Sequence, residues 1–189
     1  MVASDTLSIA PMILWTDRHW RYFFRGISKH TLLYSEMLVA NALYYNAHQL
    51  ENFLGHHMEE HPLAIQLGGN DPARLGEVAY LVQQFRSSSS QGFQEINLNA
   101  GCPSNKAKKQ GYGAELMLEP TLIREILHDM VRRATSSEIS IKCRLGVLPG
   151  LHSFDDLCHL MREVEATGVR KVVLHARMCQ LHGLSPAQN

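Results

Sequence analysis

Glu95-Ile-Asn-Leu-Asn-Ala-Gly-Cys-Pro-Ser104 carries two messages in ten residues. Ile96 and Leu98 alternate with Asn97 and Asn99, which is the period of a strand with one apolar face. At Gly101 the alternation stops, and Cys102 follows just past the strand end, ahead of Pro103. Two amide side chains and a thiol at the exit of an apolar strand have the makings of a chemical site. Taken alone, Cys102 reads more simply as a small hydrophobe in a turn, because free cysteines are usually inert packing. The flanking sequence decides between the two.

Outward from this stretch the same grammar recurs. Before it come apolar runs at Ser8-Ile-Ala-Pro-Met12, Thr31-Leu-Leu-Tyr-Ser-Glu36 and Leu63-Ala-Ile-Gln-Leu-Gly-Gly69; after it come Ile139-Ser-Ile-Lys-Cys143, exiting at Arg144-Leu-Gly146, and Val172-Val-Leu-His175. Helical patterns separate them. Thr16 or Asp17 can cap a helix whose apolar spacing is Trp20, Phe23, Phe24 and Ile27, and residues 37–45 read as helical. Asp71-Pro72 opens a helix with Leu75, Val78, Ala79, Val82 and Phe85 on one face, since proline suits the first helical position. Glu119-Pro120 opens another, with Leu122, Ile123, Ile126, Leu127, Met130 and Val131. Ser153-Phe-Asp-Asp156 resembles a capping box for a helix burying Leu157, Leu160, Met161 and Val164. Residues 87–90 and 105–112 read as polar loops, as does the segment holding His56, His57 and His61.

Six short apolar strands alternating with helices predict an α/β fold with a parallel sheet, of doubly wound or barrel form. Polar and ionisable residues then fall repeatedly at strand carboxyl ends: Glu36, Gln66, Asn97 and Asn99, Lys142, His175. In either architecture those ends carry the ligand site. Gln66 or His175 alone reads as a paired core residue. Lys142, between Ile141 and Cys143, is harder to explain without an anion for its ammonium. A neutral amide suits the edge of a heterocycle, and a fixed cation suits a ring or phosphate that gains negative charge.

Composition excludes several classes. In 189 residues, 18 basic and 18 acidic side chains balance, so net charge argues for no polyanionic partner. The four cysteines form no C-x-x-C pair, which suggests neither zinc nor a disulfide framework but reduced thiols in a cytoplasmic setting. No metal site and no membrane span are expected. There is no G-x-G-x-x-G or P-loop after the first strand, no carboxylate pair for glycoside hydrolysis and no Ser-His-Asp set.

Ala10-Pro-Met12, Thr16-Asp-Arg-His19, the segments 31–37, 61–69 and 95–104, Gly113-Ala114, Lys142-Cys-Arg-Leu-Gly146, His175-Ala-Arg177 and Gly183-Leu-Ser-Pro186 together resemble the tRNA-dihydrouridine synthases. The likeness is closest to their bacterial A-type branch and covers nearly the whole chain. It implies a TIM (β/α)8-type barrel that binds FMN and reduces a uridine of tRNA to 5,6-dihydrouridine, with NADPH as reductant and the protein acting as a monomer. By motif position, Pro11, Met12 and Ile13 contact FMN, Gln66 meets the pyrimidine edge of its ring, Lys142 lies at the N1/O2 side, and His175 also touches the cofactor. Asn99 and Arg177 face the tRNA substrate. Cys102 corresponds to the family's proton donor to uracil C5, useful as a thiol rather than a thiolate.

A TIM barrel takes about 250 residues, roughly 200 at the least. Six β/α units over residues 1–189 are therefore expected to form a partial, FMN-binding barrel, without strands seven and eight or the family's helical tRNA-binding domain. Open apolar edges are expected to follow, as in a fragment. The loop after Cys102 also departs from the family pattern: it is richer in lysine (Lys106, Lys108, Lys109), and one glycine is displaced.

Overall fold

Strand formation follows the alternation closely. The computed structural model describes residues 7–86, 92–148, 150–151 and 153–182; the 87–90 stretch and the Gly183-Leu-Ser-Pro186 motif lie outside the described residues. The strands are β1 (Ser8–Ile9), β2 (Leu32–Val39), β3 (Leu63–Gly68), β4 (Glu95–Ala100), β5 (Glu138–Leu148) and β6 (Lys171–Gln180). Between them run α1 (Arg18–Arg25), α2 (Ala40–Tyr45), α3 (Glu51–Leu54), α4 (Pro72–Gln84), α5 (Asn105–Lys109), α6 (Pro120–Arg133) and α7 (Phe154–Glu165).

Each strand pairs in parallel with the next, in the order β1-β2-β3-β4-β5-β6. A doubly wound sheet reverses its strand order at a switch point, whereas a barrel does not. The sequential order therefore resolves the two forms in favour of the barrel, here incomplete with six strands. Curling of the sheet is visible in one contact set. In a flat sheet β2 and β6 lie roughly 19 Å apart, at about 4.8 Å per strand. Yet Tyr34 of β2 and Lys171 of β6 both reach the Glu95 carboxylate of β4, each at 2.5 Å.

The period-two rule assigns two faces. Ile96, Leu98, Leu63, Ile65, Leu67, Ile139 and Ile141 point outward and form the main core with α4 and α6, through Val78, Ala79, Val82, Ile123, Ile126 and Leu127. A smaller apolar cluster of Leu32, Tyr34 and Ala64 lies on the inner face. The inner face is otherwise polar, which is where the site forms. Apolar side chains on the sheet's outermost strand are partly exposed, Val172 at 37% and Leu174 at 44%.

Helix α1 corrects the sequence expectation. Asp17 caps it by accepting from the Trp20 N–H at 2.8 Å, as predicted. Its buried residues, however, are Arg21 and Arg25, while Trp20 and Phe24 stack half-buried and Phe23 is 70% exposed. Ile27 is exposed too. The reason is carbonyl satisfaction. Arg25 donates to the carbonyls of Ser28, Thr31, Glu60 and Pro62 at 2.7–3.1 Å, and Arg21 pairs with the buried Glu60 carboxylate at 2.7 Å. Of these carbonyls, that of Pro62 also takes the Leu33 N–H at 3.1 Å; a buried carbonyl left orphaned is costly. Burial pulls the Arg25 pKa down, and the Glu60 carboxylate works against that pull.

Other elements extend past their sequence limits. β2 continues to Val39 with a register shift between Tyr34 and Met37, so Glu36 sits inside a strand rather than at its end. β5 and β6 continue together to Leu148 and Gln180, with a shift at Arg144. The expected loop after Cys102 contains α5 and a 3-10 helix at Gly113–Leu118. The expected polar histidine loop is partly core: His56 is 6% exposed, with its ring centroid 4.8 Å from that of Phe93.

Replacing Arg25 tests the corrected face of α1. Arg25→Met should destabilise by roughly 3 kcal/mol, the scale of losing charged hydrogen bonds and stranding their acceptors. Thermal denaturation followed by circular dichroism should show a Tm lower by roughly 6–12 °C. Phe23→Ser, at the exposed position, should stay within about 0.5 kcal/mol of wild type.

Candidate active site

Three successive inner-face residues of β4 (Glu95, Asn97 and Asn99) build the site from below. Glu95 Oε1 accepts from Tyr34 and from Ser140, each at 2.5 Å, and Oε2 takes the Lys171 ammonium at 2.5 Å. Burial first, and the Glu95 charge second, push the Tyr34 hydroxyl well above its ordinary pKa, which keeps it a donor. Ser140 Oγ in turn accepts from Asn97 Nδ2 at 2.7 Å, and Asn97 Oδ1 accepts from Gln66 Nε2 at 2.8 Å. Gln66 Oε1 accepts from Asn99 Nδ2 at 2.7 Å. Asn99 Oδ1 then takes the backbone N–H groups of Gly101 and Cys102 at 3.1 and 2.9 Å.

Every amide in this chain has a determined orientation. Backbone N–H groups can only donate, so Asn99 must present oxygen to them and nitrogen to Gln66. That choice propagates through Gln66 and Asn97 to Ser140 and ends on a carboxylate, which can only accept. Gln66 keeps one N–H and one lone pair uncommitted, and Asn99 keeps one N–H.

Three further contacts pin the Cys102 loop. Ala114 N–H donates to the Cys102 carbonyl at 2.9 Å, and Arg144 Nε donates to the Gly101 carbonyl at 2.9 Å. Ser104 lies 3.4 Å from Cys102 Sγ and caps α5 through the Ala107 N–H. Gly113 has φ +73°, and a Cβ there would sit 2.5 Å from the Cys102 carbonyl oxygen.

Above the hydrogen-bond chain opens a cleft of about 380 Å³, a size suited to a small-molecule ligand. Of the residues expected at a site, it brings together Gln66, Asn99, Cys102, Lys142 and His175, with Pro11 and Ile13 on its wall. Met12 does not line it; its N–H is taken by Thr16 Oγ1 at 3.0 Å and its carbonyl by the turn that follows. Arg177 is exposed and does not line it, though its charge acts on His175. Glu36 stands apart, accepting from the Leu14 N–H at 2.5 Å. Asn97 lies fully buried beneath.

Sequence reasoning did not assign five of the lining residues to the site: Gly101, Pro103 and Ser104, which flank Cys102 in its own motif, and Met37 and Arg144, which lie elsewhere. Arg144 could have been found: it shares the inward phase of Ser140 and Lys142. Met37 could not, because its position depends on the register shift in β2.

Among the described residues no carboxylate lines the cleft, while Lys142, Arg144 and His175 all do. Burial, and then Arg144, lower the Lys142 pKa. Burial lowers that of His175, with Arg144, Lys142 and Arg177 adding to it. Among the described residues the Lys142 ammonium has no hydrogen-bond or ion-pair partner. Cys143 belongs to the other face; burial pushes its thiol up to about 11, as for an inert core cysteine. Among the described residues no cluster of His, Cys, Asp or Glu could hold a metal ion, and no helix is long and apolar enough to cross a membrane.

The lysines of α5 have a structural part as well. Lys108 Nζ donates to the Leu181 carbonyl at 3.3 Å and to His182 Nδ1 at 2.7 Å, tying the helix to the end of β6.

The family model described as Dihydrouridine synthase (Dus) matches residues 8–189. Curated relatives named tRNA-dihydrouridine(20/20a) synthase are similar over nearly the whole chain. The one from Xanthomonas axonopodis is 44% identical over 99% of this chain and 53% of its own length. Those from Pseudomonas putida and Shewanella oneidensis are 42% and 40% identical, over 98% and 97% of this chain and 52% of their own length. The chain spans about half the length of the curated relatives it matches. Matched over all but its first residues, and carrying the Cys102 loop on the inner face of a parallel barrel sheet, the chain belongs to the dihydrouridine synthase family.

Proposed function

We propose that this chain forms the cofactor- and uridine-holding part of a tRNA-dihydrouridine synthase, which reduces a uridine of tRNA to 5,6-dihydrouridine. The observation that carries this reading is the convergence of Gln66, Lys142, His175 and Cys102 on one cleft that, among the described residues, no carboxylate lines. That donor set fits FMN. Gln66 has one donor and one acceptor free for an imide edge, Lys142 has an unpaired ammonium for a ring that gains negative charge, and Pro11, Ile13 and Met37 offer apolar contact. Reduced FMN, when bound, supplies a hydride to uracil C6, and NADPH is the reductant that restores it.

The chain's own residues then have these tasks. Gln66, Lys142 and His175 hold and orient the cofactor ring. The remaining N–H of Asn99 and the exposed guanidinium of Arg177 are the contacts for the target nucleotide. As C6 gains hydride, negative charge builds at C5 and O4, and C5 must take a proton. Cys102 gives that proton from its thiol, and the sulfur later regains one from water. Hydride plus proton saturate the C5–C6 bond, and one NADPH is consumed per uridine. The base must leave its stack to reach the cleft, which costs less in a tRNA loop than in a duplex.

Cys102→Ala should keep the yellow flavin and lose at least about a hundredfold in dihydrouridine formation on unmodified tRNA, the scale of a general acid's contribution. Full activity in that variant would sink the acid role. Equal reduction of free uridine and tRNA would point instead to a free-pyrimidine reductase. Lys142→Met should weaken FMN binding by about tenfold or more, as expected for one charge-assisted contact; unchanged quenching of flavin fluorescence in a titration would remove Lys142 from the cofactor site.

A further inference from the structure

Among the described residues Cys102 has one polar side-chain hydrogen-bond partner. Its Sγ donates to Ser104 Oγ at 3.4 Å, and both residues line the cleft. Ser104 Oγ also accepts the Ala107 N–H at 3.2 Å as the cap of α5. A hydroxyl has two acceptor lone pairs and one O–H. Both lone pairs are therefore occupied, and among the described residues the Ser104 proton has no other acceptor. The Ser104 oxygen is held in place by the helix cap while its hydrogen can still rotate.

Resting on the reading that Cys102 donates a proton, we propose that Ser104 is a positioning residue that exchanges hydrogen-bond roles with the thiol during the reaction. Before proton transfer the S–H donates to Ser104 Oγ, which selects one rotamer of Cys102. When that proton leaves for C5, sulfur carries the negative charge and becomes an acceptor. The Ser104 O–H then turns about its Cβ–Oγ bond and donates to the sulfur, and no heavy atom need move. Ser104 loses no proton; the thiolate is reprotonated from water. A hydrogen bond to an ionised acceptor is about twice as strong as a neutral one, so the switch favours the product side of the transfer.

Other groups also face Cys102. Tyr112 and Cys179 interact with it electrostatically, and Lys142, Arg144 and His175 share its cleft. All are unchanged in Ser104 variants, so differences among those variants report on Ser104.

The test measures the rate at which iodoacetamide alkylates Cys102 in the 189-residue chain across pH, with the site identified by peptide mass spectrometry. No flavin or RNA is added, so the result is independent of whether wild type makes dihydrouridine. S104T keeps cap and hydroxyl and should follow wild type. S104A should move the profile upward by about half to one pH unit, a roughly three- to tenfold slower reaction below the midpoint. S104G loses the hydroxyl but weakens the helix cap only slightly, and its shift should match that of S104A. A wild-type profile for S104A or S104G would overturn the proposal and leave Ser104 as a helix cap only, and so would an S104T profile that follows S104A. If S104G alone stays folded, its profile still decides. Where wild type reduces tRNA, S104A should lower kcat about tenfold with KM unchanged, and S104T should restore it.

Discussion

The buried Glu95 carboxylate is the constraint on which the inner face depends. A carboxylate with 0% exposure is tolerated only where its oxygens are fully engaged. Here Tyr34, Ser140 and Lys171 engage it, and these three come from β2, β5 and β6. One charge thus draws three strands toward a fourth and fixes the curl of the sheet. It also sets a direction. Because the carboxylate accepts only, Ser140 must donate downward, which frees its lone pairs for Asn97. The orientation of each amide above follows, up to the Gly101 and Cys102 N–H groups. A polar network of this kind specifies one arrangement because any single flip leaves two buried groups unpaired.

The cleft above has the opposite electrostatic character. Lys142, Arg144 and His175 crowd one wall; Arg144 discourages both Lys142 and His175 from holding a proton, and Lys142 acts on His175 in the same direction. Burial does the larger part, since it is the leading cause for both Lys142 and His175. An anionic ligand would oppose both shifts, so its binding is linked to proton uptake and tightens as pH falls through the lowered His175 value. Arg144 spends its guanidinium on the Gly101 and Met178 carbonyls. It therefore acts as a clamp between the Cys102 loop and the end of β6, while the Lys142 ammonium has no such partner among the described residues.

Local rules made much of this legible. The period-two pattern placed Gln66, Asn97, Asn99 and Lys142 on one face, and the strand-end rule brought Gln66, Asn99, Lys142 and His175 to a common cleft with Cys102. The two sheet forms were not separable from pattern alone, because strand order is a tertiary property. The apolar spacing of Trp20, Phe23, Phe24 and Ile27 misled for a different reason. Hydrophobic periodicity finds the face a helix would bury in an apolar environment, but α1 covers loop carbonyls, and Arg21 and Arg25 satisfy them. Glu36 was misplaced because a strand bulge shifts register without marking the sequence. The lysine run 106–109 hid a helix. Its cap, Ser104, and its one buried residue, Ala107, were less visible than the charge around them.

The proposed role of Cys102 as proton donor asks for a side chain on a rigid backbone. The Cys102 peptide is held by three elements independent of one another: Asn99 on β4, Ala114 on the 3-10 helix and, one residue earlier, Arg144 on β5. Gly113 sharpens the restraint, since any side chain there would drive into the Cys102 carbonyl at 2.5 Å and disturb the Ala114 bond. None of these contacts touches the sulfur. Proton transfer requires the donor atom within hydrogen-bond reach of the carbon that receives the proton, and a displacement of about 1 Å can cost a hundredfold in rate. It also requires that the donor regain its proton. A fixed backbone meets the first demand, and a half-exposed thiol with a single rotatable hydroxyl beside it meets the second. Asn99, Ala114 and Arg144 are distant in sequence and differ in chemistry. They converge because each removes one degree of freedom from the Cys102 loop and leaves only the torsion at sulfur free.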